Sequence, residues 1–457
     1  KPARCATEAR RPDRADDRAV PEAYRAMCEK FVGQWPRLCG RDGECFDLSK
    51  ELTYVAFADV IRRMPDKAVG VSGFAIAQLK LGCPRMRRLF YAAVVGDAIK
   101  GTVSERWHEI VYVLLPKPPP NNPDRVGERR EIALTEQDVK ALLLLVRRMC
   151  YTRIIGRVAK PQVGWVPGCS CTDPGMASGW VVQQARRLRS PLWLLYIDLS
   201  QFFSRIDRDC LRIADLVHGL PQEAVDIAVA VYGMSCDDPR VSRCMYDSAG
   251  GLGDPYKLGV GALMGCPLST DEARIFLNCV VLAIHAVARG VRLWGTADDG
   301  ERWRRVLQLL CADDWCGLVT SEAELRDTWA IWRMWEPISN CKLGIKLAEK
   351  TVVTGIAYDA DGKACDVRDP RLCTVDGRRV PVKGRGFAYK HLGRWRCADG
   401  SCDVARKMFT KSVKAALRRL ARLRRAPKRV FLLVSEALLG GLAGFYMQEV
   451  YLTFEEA

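Results

Sequence analysis

The chain lacks most of what would make it a zinc protein, a secreted disulfide scaffold or a membrane protein. Histidine is scarce, with four in 457 residues. Cysteine is plentiful at 20, but scattered. Cys169 and Cys171 are two positions apart, Cys311 and Cys316 five, and Cys397 and Cys402 five. None of these has the Cys-x-x-Cys or His-x-x-x-His spacing of a zinc site. In a chain this long they read as reduced intracellular thiols, mostly core filler, and not as a disulfide framework. No signal peptide is visible, and no apolar run reaches the ~18 residues a spanning helix needs. No segment repeats itself, which excludes a repeat array.

What is present is ordinary in bulk and unusual in charge. Hydrophobic residues make up 49% and charged residues 27%, as in a globular protein. The length allows two or three subdomains around sizeable cores. The net charge of +17 implies a polyanionic partner, with nucleic acid ahead of an acidic membrane surface. The chain opens on Lys1 and stops at "TFEEA", so it reads as a piece of something longer.

Along the chain, Lys1 to about Val20 is charged and poor in apolar residues, which predicts disorder. "DLSKELTYVAFADVIRRM" (Asp47–Met64) has helical spacing after an Asp or Ser start signal. "DKAVGVSGF" (Asp66–Phe74) is a glycine-punctuated loop. "EIVYVLL" (Glu109–Leu115) is a strand stopped by "PKPPPNNP". Thr135–Arg148 is helical, and "PLWLLYIDLS" (Pro191–Ser200) is a buried strand. Helices and strands alternate irregularly, which predicts a mixed α+β protein.

Two aspartates in an apolar setting carry the chemistry. "VLQLLCADDWCGLV" (Val306–Val319) reads as a β-hairpin with Asp313 and Asp314 at its tip, flanked by strands ending near Leu310 and Leu318. A second "ADD", Ala297–Asp299, lacks flanking strand patterns and reads as a surface loop. Two adjacent like charges repel and cost stability unless a cation neutralises them. The bland alternative is a polar hairpin turn. A third carboxylate, Asp198, ends the apolar run "LLYID". One aspartate at a strand end beside an Asp-Asp hairpin can hold two Mg²⁺ ions, with Mn²⁺ as a substitute, and such a pair supports nucleotidyl transfer. Asp207 and Asp209 follow the strand and read as caps of the next helix.

These motifs, in this order, resemble the reverse transcriptases of non-LTR (LINE-type) retrotransposons over roughly Asp47 to Tyr446. The family's palm aspartate, followed five positions on by an aromatic, is matched by Asp198 and Phe203. Its Gly-Cys-Pro-Leu-Ser turn is matched by Gly265–Ser269, its Ala-Asp-Asp hairpin by Ala312–Asp314, and its later lysine by Lys350 in "LGIKLAEKT". "YKHLG" (Tyr389–Gly393) resembles a primer-grip Leu-Gly. In the fingers, Asp66–Phe74 resembles a Lys-Ala-Pro-Gly-Pro-Asp-Gly loop, from which Val69, Val71 and Ser72 depart. Trp107 and Lys117 match a Trp-then-Leu-Pro-Lys segment. Arg130 and Lys140 match an Arg-Pro-Ile-Ser-Leu…Lys segment in which Glu131 replaces the proline. Gln162 and Trp165 match Gln-x-Gly-Phe-x-Pro-Gly.

The resemblance implies a right-hand polymerase: an N-terminal extension (1–46), fingers (47–190), a palm with an antiparallel sheet (191–395) and a helical thumb (396–457). It implies that Asp198 and Asp313 ligate both metals, with Asp314 auxiliary. Phe203 would lie under the sugar and reject a 2′-hydroxyl. Lys117 and Arg130 would hold the triphosphate, and Lys350 would protonate pyrophosphate. Gly265 and Ser269 would support the template base, Gln162 would contact template or primer, and Tyr389, Leu392 and Gly393 would place the primer end. Met264 stands where the family carries a glutamine, and Cys311 where it carries Tyr or Phe. The implied partners are an RNA template, a DNA or RNA primer duplex and dNTPs, with no membrane, and the implied compartment is nuclear, with cytoplasmic as the alternative.

Past Asp403, Lys407, Lys411, Lys414, Arg418, Arg422, Arg425 and Arg429 recur at helical steps as a cationic stripe, with Val413, Leu417, Leu420 and Leu423 on another, apolar face. Pro427 is expected to end or kink that helix. Such a stripe suits duplex phosphates without reading sequence. "VSEALLGGLAGFYMQEV" reads as a last apolar helix. Three alternatives stay open: a non-catalytic nucleic-acid-binding retroelement remnant, a group II intron-type reverse transcriptase, and an RNA-dependent RNA polymerase. "GCPLS" argues against the second. Ala-Asp-Asp and Phe203 argue against the third.

Overall fold

The computed structural model describes residues 19–33, 35–39, 46–66, 68–102, 104–117, 129–232, 242–248, 251–293, 296–297, 300–301, 304–344, 350–423 and 427–440. The protein is mixed α+β. Its chain forms two compact units. The first takes Lys1–Ala159, Ser200–Ala283 and Met334–Lys342; the second takes Lys160–Leu199, Ile284–Arg333 and Leu343–Ala457.

In the first unit, helices surround a sheet in which Glu109–Pro116 pairs antiparallel with Arg129–Leu134 and parallel with Ser242–Ser248. The predicted helix over Asp47–Met64 is two helices, Leu48–Glu51 and Tyr54–Arg63. Asp47 caps the first by accepting from Ser49 N, as expected. Thr53 caps the second, its side chain accepting from Ala56 N, and this second start signal breaks the periodicity. The region expected to be disordered lies outside the described residues as far as 18; a helix, Ala19–Phe31, begins at Ala19. The Asp66–Phe74 loop is held by the start of the helix Gln137–Val146. Ser72 N and Oγ donate to the Glu136 carboxylate at 2.8 and 2.5 Å, and Gln137 Nε2 donates to Ala68 O at 2.6 Å. Asp207 caps the helix Arg208–Val217 through Asp209 N and Cys210 N.

In the second unit, the sheet runs in the order Gln308–Cys311, Asp314–Val319, Leu192–Ser200, Val352–Tyr358, Ala364–Asp366, each neighbour antiparallel. Side chains alternate between the faces of a strand. One face packs Leu192, Leu194, Tyr196, Leu309, Cys316, Leu318, Val352 and Ile356 against Val181, Val182 and Ala185 of the helix Thr172–Arg187. The opposite face carries Trp315, edge-on to Trp332 at 5.3 Å.

One expectation is corrected here. The second "ADD" does have flanking strands: Val291–Leu293 pairs with Arg304–Val306, and Thr296–Ala297 with Gly300–Glu301. These strands are too short to give a readable alternation. Asp298 and Asp299 themselves lie outside the described residues. On the helix that carries the cationic stripe the apolar face is unevenly covered, with Leu420 5% exposed and Leu417 50%. That helix runs Asp403–Arg422 and a second, Lys428–Ser435, starts after Pro427, so the break at the proline holds. Arg425 and the last part of the final apolar segment lie outside the described residues.

Candidate active site

The hairpin at Asp313 and Asp314 is present. Strand Gln308–Cys311 turns through Ala312 and Asp313 into Asp314–Val319, with Cys311 opposite Asp314. Asp314 is in turn directly opposite Asp198 on the central strand. On the far side of that strand Val352 pairs with Tyr196, so continuing the antiparallel register sets Lys350 opposite Asp198. Cys311, Asp314, Asp198 and Lys350 thus form a row across the sheet. They extend the face that carries Leu309, Cys316, Tyr196 and Val352, where the apolar covering of the helix runs out.

Chemistry follows from that row. The Lys350 ammonium donates to both Asp198 oxygens, at 2.9 and 3.1 Å. The Asp198 side chain is 19% exposed and that of Lys350 49%. Asp314 is pushed up to about 7, first by burial, then by the neighbouring Asp313 and Asp198 charges, with Lys350 acting in the opposite sense. Cys311 is pushed up to about 12 by burial and by contact with Cys171 and the aspartates. Tyr389 stacks on Tyr196 with ring centroids 3.8 Å apart and donates to Lys350 O at 2.7 Å. Burial and the Asp314 and Asp198 charges push its phenol up and keep it protonated.

The backbone around the row is clamped. Gln162 is 3% exposed. Its Oε1 accepts from Ala312 N and Gly164 N, both at 3.0 Å, and its Nε2 donates to Ala312 O at 2.9 Å. One amide therefore satisfies both backbone groups of the first turn residue, which has a left-handed φ of 62°. Such a φ is unfavourable for alanine and persists only where the surroundings impose it. Gly164 allows the approach, since a Cβ there would stand 2.4 Å from Ala312 N. Gly344 does the same for Asp198: its N donates to Asp198 O at 2.7 Å, and a Cβ would meet Asp198 Oδ2 at 2.5 Å.

The sequence reading placed Gln162 on template or primer; in the structure its amide is spent on the hairpin turn. Tyr196, Gly344, Thr351 and His391 join the site without a local sequence signal. Thr351 Oγ1 accepts from Asp198 N at 3.3 Å. His391 hydrogen-bonds the Asp314 backbone, and burial lowers it to about 4, so it is neutral near pH 7. Only register could have found these residues. Leu392 and Gly393 form the two-residue turn between Tyr389–His391 and Arg394–Arg396, both with positive φ, 52° and 83°. This hairpin sits against the Thr172–Arg187 helix, where Arg396 donates to Gly175 O at 2.6 Å.

The first unit gathers the other predicted residues. Arg130 is opposite Leu115, two residues before Lys117, so both cations lie at one end of the same strand pair. Ala133, on the strand of Arg130, donates its N–H to Met264 O at 2.7 Å, and a Cβ on Gly265 would stand 2.8 Å from Ala133 O. Phe203 is buried, its carbonyl accepting from Ala262 N at 2.8 Å, while its neighbour Ser204 bonds Glu131 at 3.2 Å. Ser269 is buried at the start of the helix Ser269–Val287, its Oγ donating to Cys266 O. Arg130, Phe203, Met264 and Gly265 are thus neighbours through one strand.

On the helix Asp403–Arg422, Lys407, Lys411, Lys414, Arg418 and Arg422 are all exposed. Among the described residues no group of three or more His, Cys, Asp or Glu side chains is gathered closely enough to hold a metal ion. No helix among the described residues is long and apolar enough to cross a membrane. No known family model matches the chain, and no curated protein matches it.

Proposed function

We propose that the chain is an RNA-directed DNA polymerase of the non-LTR retrotransposon kind, extending a primer 3′-hydroxyl with dNTPs on an RNA template. The observation that carries this reading is the row of Asp314, Asp198 and Lys350 across the central strand, with Asp313 at the adjoining turn. The three aspartates, not gathered into a metal cage here, offer the hard oxygen ligands that Mg²⁺ takes. Burial first, and then the Asp313 and Asp198 charges, raise Asp314, and a bound cation would offset those charges. Asp198 and Asp313 would hold the two ions, with Asp314 auxiliary. Such ions, when bound, activate the primer hydroxyl and neutralise the leaving pyrophosphate.

The chain's own residues supply the rest. Gln162 holds the hairpin turn, so the aspartates are positioned before substrate arrives. Lys350 stands beside Asp198, where its ammonium can pass a proton to the departing oxygen. Tyr389 fixes the Lys350 backbone, and the Leu392–Gly393 turn would receive the primer end. Lys117 and Arg130 offer fixed cations to the triphosphate. Phe203 would crowd a 2′-hydroxyl, while Met264, Gly265 and Ser269 would border the base pair. The exposed stripe on Asp403–Arg422 would follow the duplex phosphates. In this reading the α+β fold is a right hand with fingers, palm and thumb, and the chain works in the nucleus on chromosomal DNA.

Primer extension on an RNA template with Mg²⁺, offering dNTPs or NTPs separately, tests the proposal. Extension with dNTPs alone supports it. Extension with NTPs transfers the chain to the RNA polymerases. Salt-sensitive duplex binding without extension leaves a non-catalytic nucleic-acid-binding protein.

A further inference from the structure

The row of side chains ends on a thiol, and that thiol has a partner. Cys311 Sγ lies 3.1 Å from Cys171 Sγ, across 140 residues of chain. Cys171 immediately precedes the helix Thr172–Arg187, which covers the same sheet face. It is exposed, and Cys311 is partly exposed. A second thiol contact, Cys28 with Cys279, lies in the other unit, and both of its members are buried. One close thiol pair is therefore open to solutes and one is not.

We propose that Cys171 and Cys311 form an oxidant-sensitive dithiol that closes to a disulfide beside the aspartate row. The co-reactant is a peroxide. Its oxygen is attacked by the exposed Cys171 sulfur: an S–O bond forms, the O–O bond breaks, and water leaves, giving a sulfenic acid. The Cys311 sulfur then displaces the hydroxyl. The S–S bond forms, the S–O bond breaks, and the thiol proton departs with the hydroxyl as a second water. The two sulfurs together lose two electrons, and one peroxide gains them. A dithiol reductant reverses the change.

The sulfurs must come closer to bond, and Cys311 moves with the hairpin tip. Cys311 is paired with Asp314, so the displacement reaches the aspartates. Reacting groups shifted by about 1 Å lose up to about a hundredfold in rate. That consequence rests on the polymerase reading. The disulfide itself does not.

Peptide mapping after hydrogen peroxide treatment, with alkylation of the remaining thiols, tests the bond independently of any activity. A Cys171–Cys311 crosslink that dithiothreitol removes, and that Cys171→Ser or Cys311→Ser each abolishes, is expected, with Cys28 and Cys279 unlinked. Both thiols remaining alkylatable, or Cys171 advancing to sulfinic acid without a crosslink, overturns it. In primer extension the oxidised chain should slow tenfold or more and recover on reduction, while Cys171→Ser should be indifferent to peroxide. A crosslinked chain extending at full rate would overturn the control of activity and leave the bond standing. A chain that never extends would count against the polymerase reading alone, because the mapping still decides the crosslink.

Discussion

Each unit holds three neighbouring carboxylates, and the two sets have opposite environments. In the first unit Asp215, Asp271 and Glu272 are at most 2% exposed. Each has its own partner: Tyr151 donates to Asp215 at 2.9 Å, Tyr232 to Glu272 at 2.6 Å, and Arg147 to Asp271 at 2.5 Å. Burial pushes Asp215 up to about 8 and Glu272 well above the usual carboxylate range, which favours their neutral forms. In the second unit Asp198, Asp313 and Asp314 are partly exposed at one end of a sheet face, and Asp198 pairs with the half-exposed Lys350. The difference shows what separates a packing acid from a candidate catalytic one. In the first kind a tyrosine donates to each of Asp215 and Glu272, and an arginine to Asp271. The second kind stands partly exposed, where a cation or substrate can reach it.

Substitutions can break this contrast, and the largest effects belong to the open set. Asp313→Ala should lower single-turnover extension about a thousandfold or more, since several kcal/mol of metal-borne stabilisation go with it. Tyr151→Phe should leave extension within about tenfold of the parent while lowering stability by ~1–3 kcal/mol in denaturant unfolding, because buried Asp215 loses its donor. Gln162→Ala removes three hydrogen bonds at the hairpin turn. It should cost up to about a hundredfold in kcat with KM little changed. A rise in KM alone would return Gln162 to the template.

Smaller effects sharpen the picture. Replacing Lys411, Lys414 and Arg418 together by alanine should weaken duplex binding uniformly across sequences. Each lost phosphate contact should flatten the plot of log K against log salt by about 0.9. The pH dependence of Asp314 is subtler. Its folded carboxyl sits at about 7, above the ordinary ~3.9 of an unfolded aspartate. Below pH 4 both states are protonated. As pH rises toward 7 the unfolded chain ionises first, and the folded chain loses stability. Asp314→Asn should therefore raise Tm by a few degrees at pH 8 in magnesium-free buffer, and by less at pH 5.

Much of this site was legible in the sequence because strands with apolar flanks are. The hairpin around Asp313 and the strand Leu192–Ser200 that carries Asp198 both stand where their patterns put them. Register was not legible. That Asp314 faces Asp198, and that Lys350 completes the row, depends on pairings between distant segments. Gln162 reads as a polar residue in a nucleic-acid motif, and nothing local reveals that its amide closes on Ala312, 150 residues away. Leu417 and Leu420 share one apolar stripe by spacing, and nothing local tells that Leu420 is buried and Leu417 half exposed. The split at Thr53 shows the reverse case: the cap was in the sequence, and periodicity masked it.

The measurement that bears most directly on the contrast compares Asp198→Asn with Asp215→Asn in single-turnover primer extension on RNA with dNTPs. Each change swaps one oxygen for an amide and removes a possible charge. Loss of extension in Asp198→Asn, with Asp215→Asn retaining most of it, is the expected result. Equal extension by both variants, or none by the parent chain, would contradict the assignment of the chemistry to the open set.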